Sequence, residues 1–139
     1  MYFQAIYQWR LRRILRRVAA SDRERAWLEI KDTWSKAQCL YEGPVTPGAT
    51  IYIEFALLKH LLTLQDADEL LWRGVQSVNK YVCAYSVAGL GRLQSPRLSD
   101  LPAEILNRRD VIQRAIGHFW SHVELGIFAR LTQDPSRES

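Results

Sequence analysis

The chain has 139 residues and a mass of 16.2 kDa, with 47% hydrophobic and 24% charged side chains. That is ordinary globular composition at the length of one domain, enough to bury a core without disulfides or metals as staples. The formal charge of +4 is uneven: residues 1–21 hold five arginines and no acid, while the rest holds 14 basic and 15 acidic side chains. The only two cysteines, Cys39 and Cys83, form no CxxC pair, which argues against a disulfide scaffold or a zinc ribbon and for reduced, structural thiols. The longest apolar runs, 51–64 and 81–90, are too short or too interrupted by charge to span a bilayer, so no transmembrane segment is expected.

From Phe3 to Val18, the apolar residues Phe3, Ile6, Tyr7, Leu11, Ile14, Leu15 and Val18 fall on one half of a helical wheel. Arg12, Arg13, Arg16 and Arg17 lie opposite. This segment is an amphipathic helix, Arg-rich and acid-free in the manner of a mitochondrial address. Ser21-Asp22-Arg23-Glu24 matches a capping box and opens a second helix. There Trp27, Ile30, Trp34, Ala37 and Tyr41 face the core, and Arg25/Glu29 and Asp32/Lys36 pair at i,i+4 on the surface. Gly43-Pro44 and Pro47-Gly48 break the chain.

Residues 51–64 read as a buried helix. Asp66 caps another from Ala67 to about Val87, with Leu70, Leu71, Val75, Val78 and Val82 inward and Gly74 permitting a close helix approach. A loop around Pro96 leads to Asp100, expected to cap a last helix over 99–132 that carries Ile105, Ile112, Ile116, Phe119, Val123, Ile127 and Leu131. The expected architecture is therefore all-α, a bundle of about five helices in a single domain over 1–133 with a frayed tail at 134–139.

Catalytic signatures are scarce. GxSxG, a Walker glycine loop and GxGxxG do not occur. His118 and His122 stand four apart, which on a helix places two imidazoles on one face, but no HExxH glutamate accompanies them and neither histidine has a glutamate three positions before it. Arg114 and His118 are three apart, out of register with the Arg and His of HEPN-like helical ribonucleases. These patterns point to a non-enzymatic protein with no metal or cofactor of its own.

One constellation carries a resemblance. Ile6-Tyr7-Gln8-Trp9-Arg10-Leu11-Arg12 resembles the L-Y-R-x-L-L-R opening of the LYR-motif family of small mitochondrial helical proteins. Ile30-Lys31-Asp32-Thr33-Trp34 is similar to the family's second-helix pattern, and Asp66 to Gly74 loosely to its third helix. The main departure is Gln8 where the family has arginine, with Arg12 one turn further along on the same side of the helix.

The resemblance implies a three-helix LYR-like core over 1–92 with the C-terminal helix as an addition. It also implies a location in the mitochondrial matrix or on the matrix side of the inner membrane. The role it implies is that of an accessory subunit or assembly factor of a respiratory-chain complex, complex I above all. Its partners would be the subunits of that complex and a mitochondrial acyl carrier protein bearing acyl-phosphopantetheine. On this reading Gln8, Trp9, Arg10, Arg12, Arg13, Arg16 and Arg17 form the docking face, Tyr7 helps orient the pantetheine arm, and a basic stripe meets an acidic carrier protein. Trp9 within the basic side adds a hot-spot residue type.

Three alternatives follow from the same residues. One is a structural subunit that has lost carrier-protein binding along with the motif arginine. Another is a nucleic-acid-binding helical module using the Arg10 to Arg17 stripe, disfavoured because only charge supports it. The third is interfacial attachment of the first helix to a membrane.

Overall fold

In the computed structural model the described residues are 2–43, 52–117 and 119–134, with side chains described from Ile6 onward. The Pro44 and Pro47-Gly48 break, His118, the Phe3 side chain and the tail beyond residue 134 lie outside them. Helix α1 spans Tyr2–Ala19 and α2 Arg23–Ser35, followed by the short strand β1, Leu40–Tyr41. Helices α3 (Ile53–Leu61), α4 (Ala67–Val75) and α5 (Lys80–Arg92) follow. A 3-10 turn over Pro96–Asp100 and a one-turn α6 (Ala103–Leu106) lead into strands β2 (Val111–Ile116) and β3 (Phe119–Glu124), and α7 (Leu125–Gln133) closes the chain.

The core is organised around α5. Between Lys80 and Arg92 its sequence carries no charge, and a helix apolar on every side must be buried on every side. Tyr81 through Val87, Gly89 and Leu90 are all buried, and α5 meets α2, α4, α7, β1 and β2. Against α4 the approach is close: a Cβ on Gly74 would collide with Ser86 Oγ and stand 2.7 Å from the Trp27 ring. Trp34 is fully buried beneath α5, stacked on Tyr85 with centroids 5.1 Å apart and edge-on to Trp27 at 6.0 Å. Its indole N–H donates to Glu54 O at 3.1 Å.

Two tyrosines one turn apart on α5 fasten the sheet. The Tyr81 hydroxyl donates to Gln38 O and accepts from Gln113 N, both at 3.0 Å. The Tyr85 hydroxyl donates to Cys39 O at 2.8 Å and accepts from Tyr41 N at 2.9 Å. Each thus satisfies one acceptor and one donor that burial would otherwise leave unpaired. The sheet order is β1-β2-β3, with β1 parallel to β2 and β2 antiparallel to β3.

The expectation of a helical protein holds coarsely, and it fails in specific places. Residues 99–132 are not a helix. The apolar residues there satisfy a helical period, but 111–116 and 119–123 are rich in β-branched and aromatic side chains on either side of Gly117. Gly117 adopts φ +59° in the connection, a conformation glycine takes without steric cost. The result is a hairpin in which Ile112 pairs with Val123 and Ile116 with Phe119. His122 consequently stands on a strand, so the helical spacing that was to align it with His118 does not apply.

The helix expected over 67–87 is two helices. It breaks at Gln76–Asn79, where the Asn79 side chain accepts from the Tyr81 and Val82 amides and starts α5 afresh. Val78 falls in that break, 95% exposed rather than inward.

Caps shift as well. Asp22, not Ser21, is the N-cap of α2, accepting from Arg25 N at 2.9 Å, while Ser21 Oγ donates back to Arg17 O. Asp66 precedes α4 without a side-chain cap bond, and Asp100 ends the 3-10 turn. Lys36 pairs with Asp32 as the spacing suggests, whereas Glu29 reaches across to Arg17 of α1 rather than to Arg25.

Candidate interaction face on the first helix

α1 lies at the periphery, touching α2 and α3. Of its described side chains only Leu11 and Val18 are buried; Tyr7, Gln8, Ile14 and Leu15 are half-buried and Ile6 is largely exposed. The amphipathic period therefore docks the helix along a narrow seam and leaves the rest of its circumference in solvent.

The docking divides the sequence-predicted site residues into two groups. Gln8, Trp9, Arg12, Arg13 and Arg16 line one shallow outer depression of about 570 Å³. Trp9 is 59% exposed, and the Arg13 guanidinium lies over its ring at 5.3 Å from the centroid. Such a contact at an exposed site contributes about 0.5–1 kcal/mol, so the indole is held in place without being covered. No acid lines this depression, and among the described residues Arg12, Arg13 and Arg16 make no ion pair.

Tyr7, Arg10 and Arg17 belong elsewhere. They line a cleft of about 400 Å³ between α1, α2 and the start of α3, together with Leu11, Ile14, Glu29, Asp32, Lys36 and Glu54. Arg17 is paired with Glu29 at 3.1 Å, and the cleft mixes both signs of charge. Burial raises the Glu54 carboxyl above its usual range. The Tyr7 hydroxyl accepts from Ile53 N at 2.8 Å, and burial raises its pKa above that of a free phenol. Tyr7 thus ties α1 to the beginning of α3.

Sequence reasoning missed an aromatic run that continues from Tyr7. Tyr7 meets Tyr52 edge-on at 6.4 Å, Tyr52 stacks on Tyr41 at 3.8 Å and 4°, and Tyr41 meets Trp120 edge-on at 6.3 Å. The four rings join α1 to the hairpin, the two outer contacts edge-on in a favoured geometry and the Tyr41–Tyr52 pair nearly face to face. Nothing in the spacing of residues 7, 41, 52 and 120 announces them.

A second missed pair is Arg114 with Glu42, doubly hydrogen-bonded at 3.0 Å for each contact, the guanidinium lying over Phe128 at 4.9 Å. Arg114 is thereby committed to the fold. Cys39 and Cys83 are buried free thiols, each pushed up to about 11 by burial, and are therefore protonated at neutral pH. Among the described residues no group of three His, Cys, Asp or Glu side chains is placed to hold a metal ion, and His122 instead meets Gln113, Nε2 to Nε2 at 3.1 Å. No described helix is long and apolar enough to cross a membrane.

No family model, curated protein or solved structure matches the chain.

Proposed function

We propose that this protein is a non-catalytic adaptor whose α1 outer face docks an acidic partner protein. The observation that carries the reading is the depression formed by Gln8, Trp9, Arg12, Arg13 and Arg16, where three unpaired guanidinium groups surround an exposed indole with no acid among them. Tryptophan and arginine are the residue types that concentrate binding energy at interfaces. A uniformly basic patch also accelerates encounter with an acidic surface and rejects basic ones.

The resemblance of Ile6-Tyr7-Gln8 and the residues after it to the LYR motif gives the finer assignment. On that reading the acidic partner is a mitochondrial acyl carrier protein, and the host is a respiratory-chain complex, complex I foremost, with the protein on the matrix side as accessory subunit or assembly factor. The division of α1 refines the roles: Arg12, Arg13 and Arg16 supply the charge, Trp9 the apolar anchor, and Tyr7 holds the helix in place through Ile53.

The test is mass spectrometry, native and then denaturing, on the protein isolated from its source with its bound partners. A small acidic protein carrying acylated phosphopantetheine is the expected result. Large respiratory subunits without it would leave the adaptor role but remove the carrier protein. Copurifying nucleic acid would overturn the reading in favour of phosphate binding by the same arginines, with an affinity that falls steeply as salt rises.

A further inference from the structure

The hairpin carries a second surface, independent of α1. Among the described residues β3 is the terminal strand of its sheet, and the direction of its outer hydrogen-bonding groups follows from its neighbours. Gln113 N donates to Tyr81 and Ala115 O accepts from Glu42 N, so these residues of β2 turn their backbone groups away from β3. In an antiparallel ladder the residues facing them, His122 and Trp120, together with Glu124 two further on, must likewise turn theirs outward.

The outer edge therefore presents the N–H and C=O groups of Trp120 and His122 and the N–H of Glu124, whose C=O, at the N-cap of α7, begins that helix. It lacks the lysines and prolines that guard exposed edges. Its flanking side chains are apolar and uncovered: Phe119 is 81% exposed, Trp120 53% and Ile116 50%.

We infer that β3 pairs antiparallel with β3 of a second copy of this chain, extending the sheet across a two-fold axis at His122. Only one register pairs all three outward residues of both strands. It sets His122 opposite itself, with two hydrogen bonds exchanged, and Trp120 opposite the second copy's Glu124, whose N–H donates to the Trp120 C=O. The charges suit it: the two Glu124 carboxylates lie at opposite ends. Arg109, 3.8 Å from Glu124 and itself exposed, comes alongside the second copy's Trp120, where a cation over an indole is favourable. Phe119 falls beyond the paired stretch, where the second copy's chain enters α7, a helix that exposes Ile127.

Covering Phe119 and Trp120, aromatic side chains of about 150–250 Å² each, along with the two strands gives a total near 1,000 Å². That is the lower bound for a specific interface, as suits a reversible rather than an obligate association.

Sedimentation of the full chain from about 1 to about 500 µM, which spans about 8 to 4.5 kcal/mol of association free energy, is expected to show monomer and dimer in exchange. His122→Pro deletes an outward donor and the side-chain contact with Gln113 while leaving the backbone bonds to β2 intact, and is expected to weaken dimerisation at least tenfold. Register is read by cross-linking: a short bifunctional maleimide joins two copies of His122→Cys, which face each other, but not two copies of Trp120→Cys, which stand four residues apart along the strand. Cys39 and Cys83 are buried and leave little background. A monomer throughout the range, a dimer insensitive to His122→Pro, or cross-linking of Trp120→Cys in place of His122→Cys would overturn the inference.

Discussion

Helices α5 and α1 divide the labour of the molecule. α5 has no charge between its terminal Lys80 and Arg92, and α2, α4, α7, β1, β2 and the 3-10 turn surround it. α1 is longer, carries five arginines, and touches α2 and α3 along a seam whose buried side chains are Leu11 and Val18. Helical propensity does not separate the two; the width of the apolar stripe does. A helix apolar all round is placed by the core and has no surface left to offer, whereas one with a narrow stripe can be anchored at small cost and still present most of its circumference to a partner. Stability should therefore follow substitutions around α5 and be nearly indifferent to substitutions on the outer face of α1.

Trp34→Ala is expected to break the α5 side of this contrast most severely. It removes a fully buried indole stacked on Tyr85, together with its hydrogen bond to the Glu54 carbonyl, for a loss of about 3–5 kcal/mol by chemical denaturation. Gly74→Val should come next, at about 1–3 kcal/mol, because the added carbons enter space held by Ser86 and Trp27. Should Gly74→Val prove neutral, the α4–α5 contact is looser than described. Tyr85→Phe keeps the ring and deletes only the hydroxyl that bridges Cys39 O and Tyr41 N. A loss of about 1–3 kcal/mol is expected, with amide exchange accelerated at Tyr41 in particular.

The same contrast explains what the sequence makes legible. α1, α2 and α3 follow from periodicity within one segment, and the basic face of α1 follows from composition alone, because charge that is not neutralised locally stays visible in the sequence. The hairpin is hidden because Ile112, Ile116, Phe119 and Val123 fit a helical repeat as well as they fit two strands. Gly117 decided between them only once β1 supplied a parallel neighbour and Tyr81 and Tyr85 supplied hydrogen bonds to hold it. Val78 misled for a similar reason, fitting the periodicity of a continuous helix that Asn79 interrupts by capping α5. In the candidate site Trp9 and the arginines were readable. The division of Tyr7, Arg10 and Arg17 into a separate cleft was not, since it depends on where α2 and α3 close over the helix. The Tyr7–Tyr52–Tyr41–Trp120 run is purely tertiary.

The central claim, that the outer face of α1 serves binding and not folding, is tested most directly by one variant measured in two ways. Arg12→Ala, Arg13→Ala and Arg16→Ala are combined in the full chain. Their guanidinium groups make no ion pairs among the described residues, and exposed substitutions of this kind each change stability by less than about 0.5 kcal/mol. Thermal unfolding should therefore stay within a few degrees of the parent, while recovery of the acidic partner from the native source falls at least tenfold. A variant that unfolds early would show the arginines to be structural, and one that keeps both its stability and its partner would show that this face does not bind.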